Sequence, residues 1–165
     1  MKKKILISCA VVLGSVIEVF ACTGISFRAK DGAYIQARTI EWGDGNLPSE
    51  YVIIPRKQVQ TSFTPGGKNG MKFEAKYGVI GLAIIHKEFI AEGLNEAGLS
   101  AGLFYFPHYG KYPDYDPGQN ERTLSDLQFV TWALSQFSTV DEVKAAIGNV
   151  RLVSLDEPGA SSTVH

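Results

Sequence analysis

Cysteine is scarce: Cys9 and Cys22 are the only two in 165 residues, so no disulfide framework can staple this fold. His86, His108 and His165 have no metal-ligand spacing to one another or to Cys22, which argues against a zinc site, and no cofactor motif is present. Neither sign of charge dominates, since 16 Lys and Arg stand against 17 Asp and Glu. Because the basic residues are spread thinly, there is no stripe to neutralise phosphates, and nucleic acid is discounted as a partner. Long apolar runs are missing too. The longest, at 5–20, is interrupted by Glu18, whereas a membrane span needs about 20 apolar residues. Internal repeats, low-complexity tracts and an evident linker are likewise lacking, which leaves one domain of ordinary globular composition.

What the short apolar run does fit is an export signal. Lys2, Lys3 and Lys4 form a basic start, the run follows, and Val19-Phe20-Ala21 supplies a small residue at the cleavage point. Residues 1–21 are read as a signal peptide and 22–165 as the mature part, secreted or periplasmic, with no stable membrane span after processing. Loss of Lys2, Lys3, Lys4 and Glu18 takes the formal charge from −1 to −3. Cys9 leaves with the signal, and Cys22 becomes residue one.

A lone exported thiol is reactive, modified or merely buried, and its position favours the first. An N-terminal Cys carries a thiol and a free α-amine on one residue. Such amines titrate near pH 8 in model peptides, so part of the population is free base and can take the thiol proton directly or through a water. This is the N-terminal-amine form of nucleophilic catalysis. The rival reading is lipid attachment to Cys22, which would make the chain a non-catalytic anchored surface or binding protein; the bulky Phe20 argues against it.

Apolar alternation and β-branched content predict strands at 23–27, 33–40, 51–55, 79–85 and 100–106. Asp31-Gly32 signals a hairpin turn, 65–70 a loop, and Gly93 and Gly98 bracket a further turn. From Thr123 the period becomes helical through Leu124, Leu127, Val130 and Leu134, with Thr123 and Asp126 as an N-cap pair and an end near Gln136. Thr139-Val140-Asp141-Glu142 reads as a capping box opening a second helix, stopped by Gly148. Phe129 and Trp132 are expected in the core. The aromatic stretch 104–115 either lines an apolar pocket or packs over the sheet.

Arg38 and Glu41 return toward Cys22 across the first hairpin. In a regular strand they would face opposite ways, so they converge only if the strand ends or bulges near Ile40. Asn95, between two glycines, is by itself a good turn former.

Three ordered segments, Cys22-Thr23-Gly24, Arg38-Thr39-Ile40-Glu41-Trp42 and 92–99 with Asn95-Glu96-Ala97-Gly98-Leu99, give the chain a resemblance to the choloylglycine hydrolases, which comprise bile salt hydrolases and penicillin V acylases. The resemblance runs from Cys22 to the end. It implies an α+β fold, the αββα sandwich of N-terminal-nucleophile hydrolases, incomplete here because family members are about twice as long. It also implies Cys22 as nucleophile, Arg38 beside the thiol, Glu41 holding the α-amine where many members have Asp, and Asn95 lending a backbone N–H to the oxyanion hole. A further Asn and Arg are expected from sequence beyond His165. The implied activity is hydrolysis of a linear amide without metal or cofactor. Conjugated bile salts are the first choice of substrate, with penicillin V or an acyl-homoserine lactone as alternatives, and a homotetramer is the implied assembly.

Overall fold

A computed structural model describes residues 22–41, 47–104 and 111–155. The chain divides into two compact units, Met1–Gly43 and Asp44–His165. The described part of the first unit is a hairpin of β1 (Gly24–Arg28) and β2 (Tyr34–Arg38), antiparallel from Gly24 opposite Arg38 to Arg28 opposite Tyr34. Its turn is closed where the sequence predicts: Gly32 sits at φ 92°, a region open to glycine, and Asp31 Oδ1 accepts the Ala33 N–H at 3.0 Å. The second strand ends at Arg38, two residues short of the expected end.

In the second unit, β3 (Ser49–Ile54), β6 (Val79–Ile84), β7 (Ile90–Asn95) and β8 (Ser100–Gly102) form an antiparallel sheet in that order. The segments β4 (Val59–Thr61) and β5 (Lys72–Glu74) pair with each other on either side of the 65–70 loop. β9 (Thr123–Ser125) pairs in parallel with β10 (Arg151–Val153). Two helices follow β9, α1 (Phe129–Gln136) and α2 (Val140–Ala146).

Register explains which face of the sheet is covered. Ile54, Val79 and Asn95 lie in one row across three strands, and all are nearly inaccessible, at 2%, 2% and 3%. The neighbouring row, Ile53, Ile80 and Leu94, points the other way and is exposed at 73%, 51% and 47%. Helix α1 packs on β7 and β8, and it can do so closely because Gly93, which pairs with Gly81 on β6, carries no side chain there. A Cβ on Gly93 would meet a Leu134 methyl at 2.8 Å and the Ile80 carbonyl at 3.0 Å. Gly93 therefore lies inside a strand and does not bracket a turn. The reversal instead lies between β7 and β8, with Gly98 at φ 90°.

A core of Phe73, Leu124, Trp132 and Ala133 joins β5, β9 and α1, with Phe137, Val143 and Leu152 packed on it. Phe129 and Trp132 thus take core positions, Trp132 meeting Phe137 edge-on at 4.9 Å.

The expected helix over 123–136 begins six residues later than its sequence period. Tertiary partners claim the first three positions: the Met71 N–H donates to the Thr123 carbonyl at 2.8 Å, and β10 takes the other edge. Ser125, not Thr123, caps the 3-10 turn Asp126–Gln128 that precedes α1, its hydroxyl accepting the Leu127 N–H at 3.1 Å, and α1 itself starts from Gln128 without a side-chain cap. The second helix opens as expected, on the Thr139–Glu142 capping box.

Strand β6 stops at Ile84 because Ile85 adopts φ 63°, which a β-branched residue enters only under constraint. Its N–H donates to the Pro48 carbonyl at 2.8 Å. The expected strand at 100–106 ends at Gly102; positions 105–110 of the aromatic stretch, Trp42 and the whole signal segment lie outside the described residues.

Candidate active site

Three of the four candidate residues, Cys22, Arg38 and Glu41, belong to the first unit, and the hairpin brings their segments together. Gly24 pairs with Arg38. One step further toward the open end, the Thr39 N–H donates to the Thr23 carbonyl at 2.9 Å, and Thr39 Oγ1 accepts the Thr23 N–H at 3.2 Å. Cys22 is the next residue, a free and half-buried thiol. Arg38 Nε donates to the Thr39 carbonyl at 3.2 Å, which holds the guanidinium stem at the same end. Because the ladder closes at Arg38, the strand alternation that would put Glu41 on the opposite face no longer applies. Glu41 is partly buried, and its Oε2 is buried without a hydrogen-bond partner. A buried carboxylate oxygen in that condition is costly and suits a site that receives a donor.

Asn95 belongs to the second unit, and its surroundings do not fit the donor role implied by the resemblance. Its backbone N–H is committed to the Leu99 carbonyl at 2.9 Å. The side chain is saturated as well: Nδ2 donates to the Leu134 and Phe137 carbonyls at 2.8 and 2.7 Å, while Oδ1 accepts the Ala97 and Leu99 N–H groups at 3.0 and 2.9 Å. Asn95 thus closes the β7–β8 turn and caps the C-terminal carbonyls of α1. The physical reason is the turn itself, which needs that N–H to close. The turn-forming tendency of an Asn between two glycines was the signal for this role.

Sequence reasoning passed over Thr39, whose backbone and side chain meet both Thr23 and Arg38. Its position inside the Arg38–Trp42 segment was the available signal. Among the described residues, no three His, Cys, Asp or Glu side chains gather so as to hold a metal ion, and no helix is long and apolar enough to cross a membrane.

Comparison with known proteins places these features in a group. Residues 22–165 match the linear amide C–N hydrolases, choloylglycine hydrolase family. A bile salt hydrolase/transferase of Clostridium perfringens is 30% identical over 150 residues, which is 87% of this chain and 43% of that protein. A bile salt hydrolase/transferase of Bifidobacterium longum is 29% identical over 144 residues, and a penicillin V acylase of Pectobacterium atrosepticum 25% over 149. A crystal structure of a mutant conjugated bile acid hydrolase from Clostridium perfringens superimposes with a TM-score of 0.65 at 27% identity, covering 87% of this chain and 43% of that one. The chain thus spans less than half the length of the relatives it matches. Its mixed helices and sheets are those of part of an N-terminal-nucleophile hydrolase, the α+β class that the resemblance implied.

Proposed function

The chain belongs to the choloylglycine hydrolase family of linear amide C–N hydrolases, and on that premise we propose that it is the N-terminal portion of an exported cysteine amide hydrolase acting on glycine- or taurine-conjugated bile salts. The observation that carries the reading is the open end of the first hairpin, where Cys22 adjoins the Thr23–Thr39 clamp, Arg38 is tethered to Thr39, and Glu41 has a partnerless carboxylate oxygen. Cleavage after Ala21 would turn the Cys22 amide into an α-amine. That amine brings new donors, and Glu41 is the residue proposed to hold it.

The chemistry follows from those parts. The free amine takes the thiol proton, and the thiolate adds to the substrate's amide carbon, giving a tetrahedral oxyanion. Collapse breaks the C–N bond, the leaving amine takes the proton, and a thioester remains on Cys22. Water, deprotonated by the same α-amine, then adds to the thioester and releases the acid and the thiol. Arg38 contributes a fixed positive charge beside the anionic sulfur. The bile salt assignment is supported by the predominance of bile salt and bile acid hydrolases among the relatives; penicillin V follows from the more distant acylase.

The test uses the full-length gene product. Intact mass of the mature protein is expected to show an unmodified Cys22, and the protein to release glycine or taurine from conjugated bile salts faster than phenoxyacetate from penicillin V. Cys22→Ser is expected to lower turnover on the order of 10³-fold or more, since a hydroxyl ionises far less readily than a thiol. Lipid mass on Cys22, or wild-type turnover by the Ser variant, overturns the proposal; preference for penicillin V overturns the substrate alone.

A further inference from the structure

We infer that Thr39 is a positioning residue for the nucleophile: its hydroxyl stands in for a backbone carbonyl and thereby both orients Cys22 and frees the carbonyl that tethers Arg38. The inference rests on the proposed role of Cys22 and goes beyond it. A regular antiparallel pair of this type exchanges two backbone hydrogen bonds. At Thr23 and Thr39 only one is present, from the Thr39 N–H to the Thr23 carbonyl at 2.9 Å. The reciprocal Thr23 N–H goes to Thr39 Oγ1 at 3.2 Å. The Thr39 carbonyl is turned to accept Arg38 Nε at 3.2 Å.

This exchange has consequences on both strands. On the first, the Thr23 N–H belongs to the peptide group that follows Cys22, so holding it restricts the rotation that aims the Cys22 thiol and α-amine. On the second, the ladder closes at Arg38 without losing its grip on Thr23, and the chain is free to leave the strand path before Glu41. A residue at position 39 therefore needs an acceptor on Cβ. Ser and Thr supply one at the required reach; Val has Thr's shape and lacks the oxygen.

The experiment compares Thr39→Val, Thr39→Ala and Thr39→Ser in the full-length processed protein. Thr39 is exposed, so none of the three disturbs a packed core. Val and Ala are expected to lower kcat about 10- to 100-fold with KM within about threefold, the scale of loss for a displaced reacting group. They are also expected to alter the pH dependence of Cys22 alkylation by iodoacetamide, followed by mass at the Cys22 peptide. Ser is expected to restore both readouts to within about threefold of wild type, because it returns the acceptor. Wild-type kcat and an unchanged alkylation profile in Val and Ala overturn the inference, as does a Ser variant as impaired as Val. The alkylation profile requires no substrate: a wild-type protein that cleaves no amide sinks the proposed function, while the Thr39 comparison is still decided by alkylation.

Discussion

At the scale of single residues, Asn95 separates structure from chemistry. Four side-chain hydrogen bonds tie the β7–β8 turn to the end of α1. Asn95→Ala leaves two carbonyls and two N–H groups in a buried region without that partner, and unsatisfied buried groups cost about 1–3 kcal/mol each before relaxation. The expected outcome is a loss of about 2–4 kcal/mol in chemical denaturation. Any turnover that remains is expected to keep the wild-type pH dependence, because the side chain acts on folding and not on a proton transfer. Cys22, Arg38 and Glu41 stand out in the sequence by residue type and order alone, and their proposed roles rest on that chemistry together with the hairpin geometry. The commitment of the Asn95 N–H was not legible, because which acceptor a turn N–H finds depends on the closure of the turn.

At the scale of elements, α1 packs on the sheet with no room for a side chain at Gly93. Gly93→Ala places a Cβ where the Leu134 methyl and the Ile80 carbonyl already stand; the carbonyl cannot move without breaking the sheet. The expected cost is about 1–3 kcal/mol, read as a lower denaturation midpoint with an unchanged slope. Helix α2 makes a pH prediction. Glu142 accepts hydrogen bonds from the Ser138 N–H and hydroxyl and from the Thr139 N–H at 2.7, 3.0 and 3.2 Å, and these, Ser138 first, hold its carboxyl below the ordinary range. A depressed carboxyl stabilises the fold above its unfolded value, near pH 4.3, and that contribution is lost as pH falls through the lower folded value. Wild-type stability is therefore expected to fall more steeply than that of Glu142→Gln as pH drops from about 5 to 3, measured by urea titration at each pH. Equal slopes would remove Glu142 from the account. The capping box was readable in the sequence because it is local, whereas β4, β5, β7 and the β9–β10 pair were not. β4, β5, β9 and β10 are three residues each, and the β9–β10 pairing joins Thr123 to Arg151, far along the chain; β7 is longer, but Gly93 within it carries a turn signal.

At the scale of the whole molecule, the sheet keeps an apolar row uncovered. Ile53, Ile80 and Leu94, with Tyr51 beside them at 85% exposure, present a surface that in a soluble protein marks an interface or an aggregation site. The chain also covers 43% of its Clostridium perfringens relative. Residues 22–165 expressed by themselves are thus expected to aggregate or melt without cooperativity and to release no measurable glycine or taurine. A soluble fragment with a cooperative melt and the turnover of the full-length product would contradict this. Ile53→Lys or Leu94→Lys is expected to raise the solubility of the fragment, since a charge interrupts the row without touching the covered face.

The sequence by itself determined the features that are local or chemical: the turn at Asp31-Gly32, the capping box at Thr139, and the three ordered segments at Cys22–Gly24, Arg38–Trp42 and 92–99 that carry the resemblance to the family. Each depends on neighbours within a few residues or on side-chain chemistry alone. Tertiary structure decided the rest. Thr123 to Ser125 carry a helical apolar period but lie in a strand because Met71 and β10 satisfy their backbone first. Gly93 reads as a turn and serves as the floor for Leu134. Thr39 reads as an ordinary strand residue, and only the register of the hairpin shows its hydroxyl taking a carbonyl's place beside Cys22. In all three, the deciding partner is distant in sequence, and backbone hydrogen bonding or close packing outweighs the modest local preference.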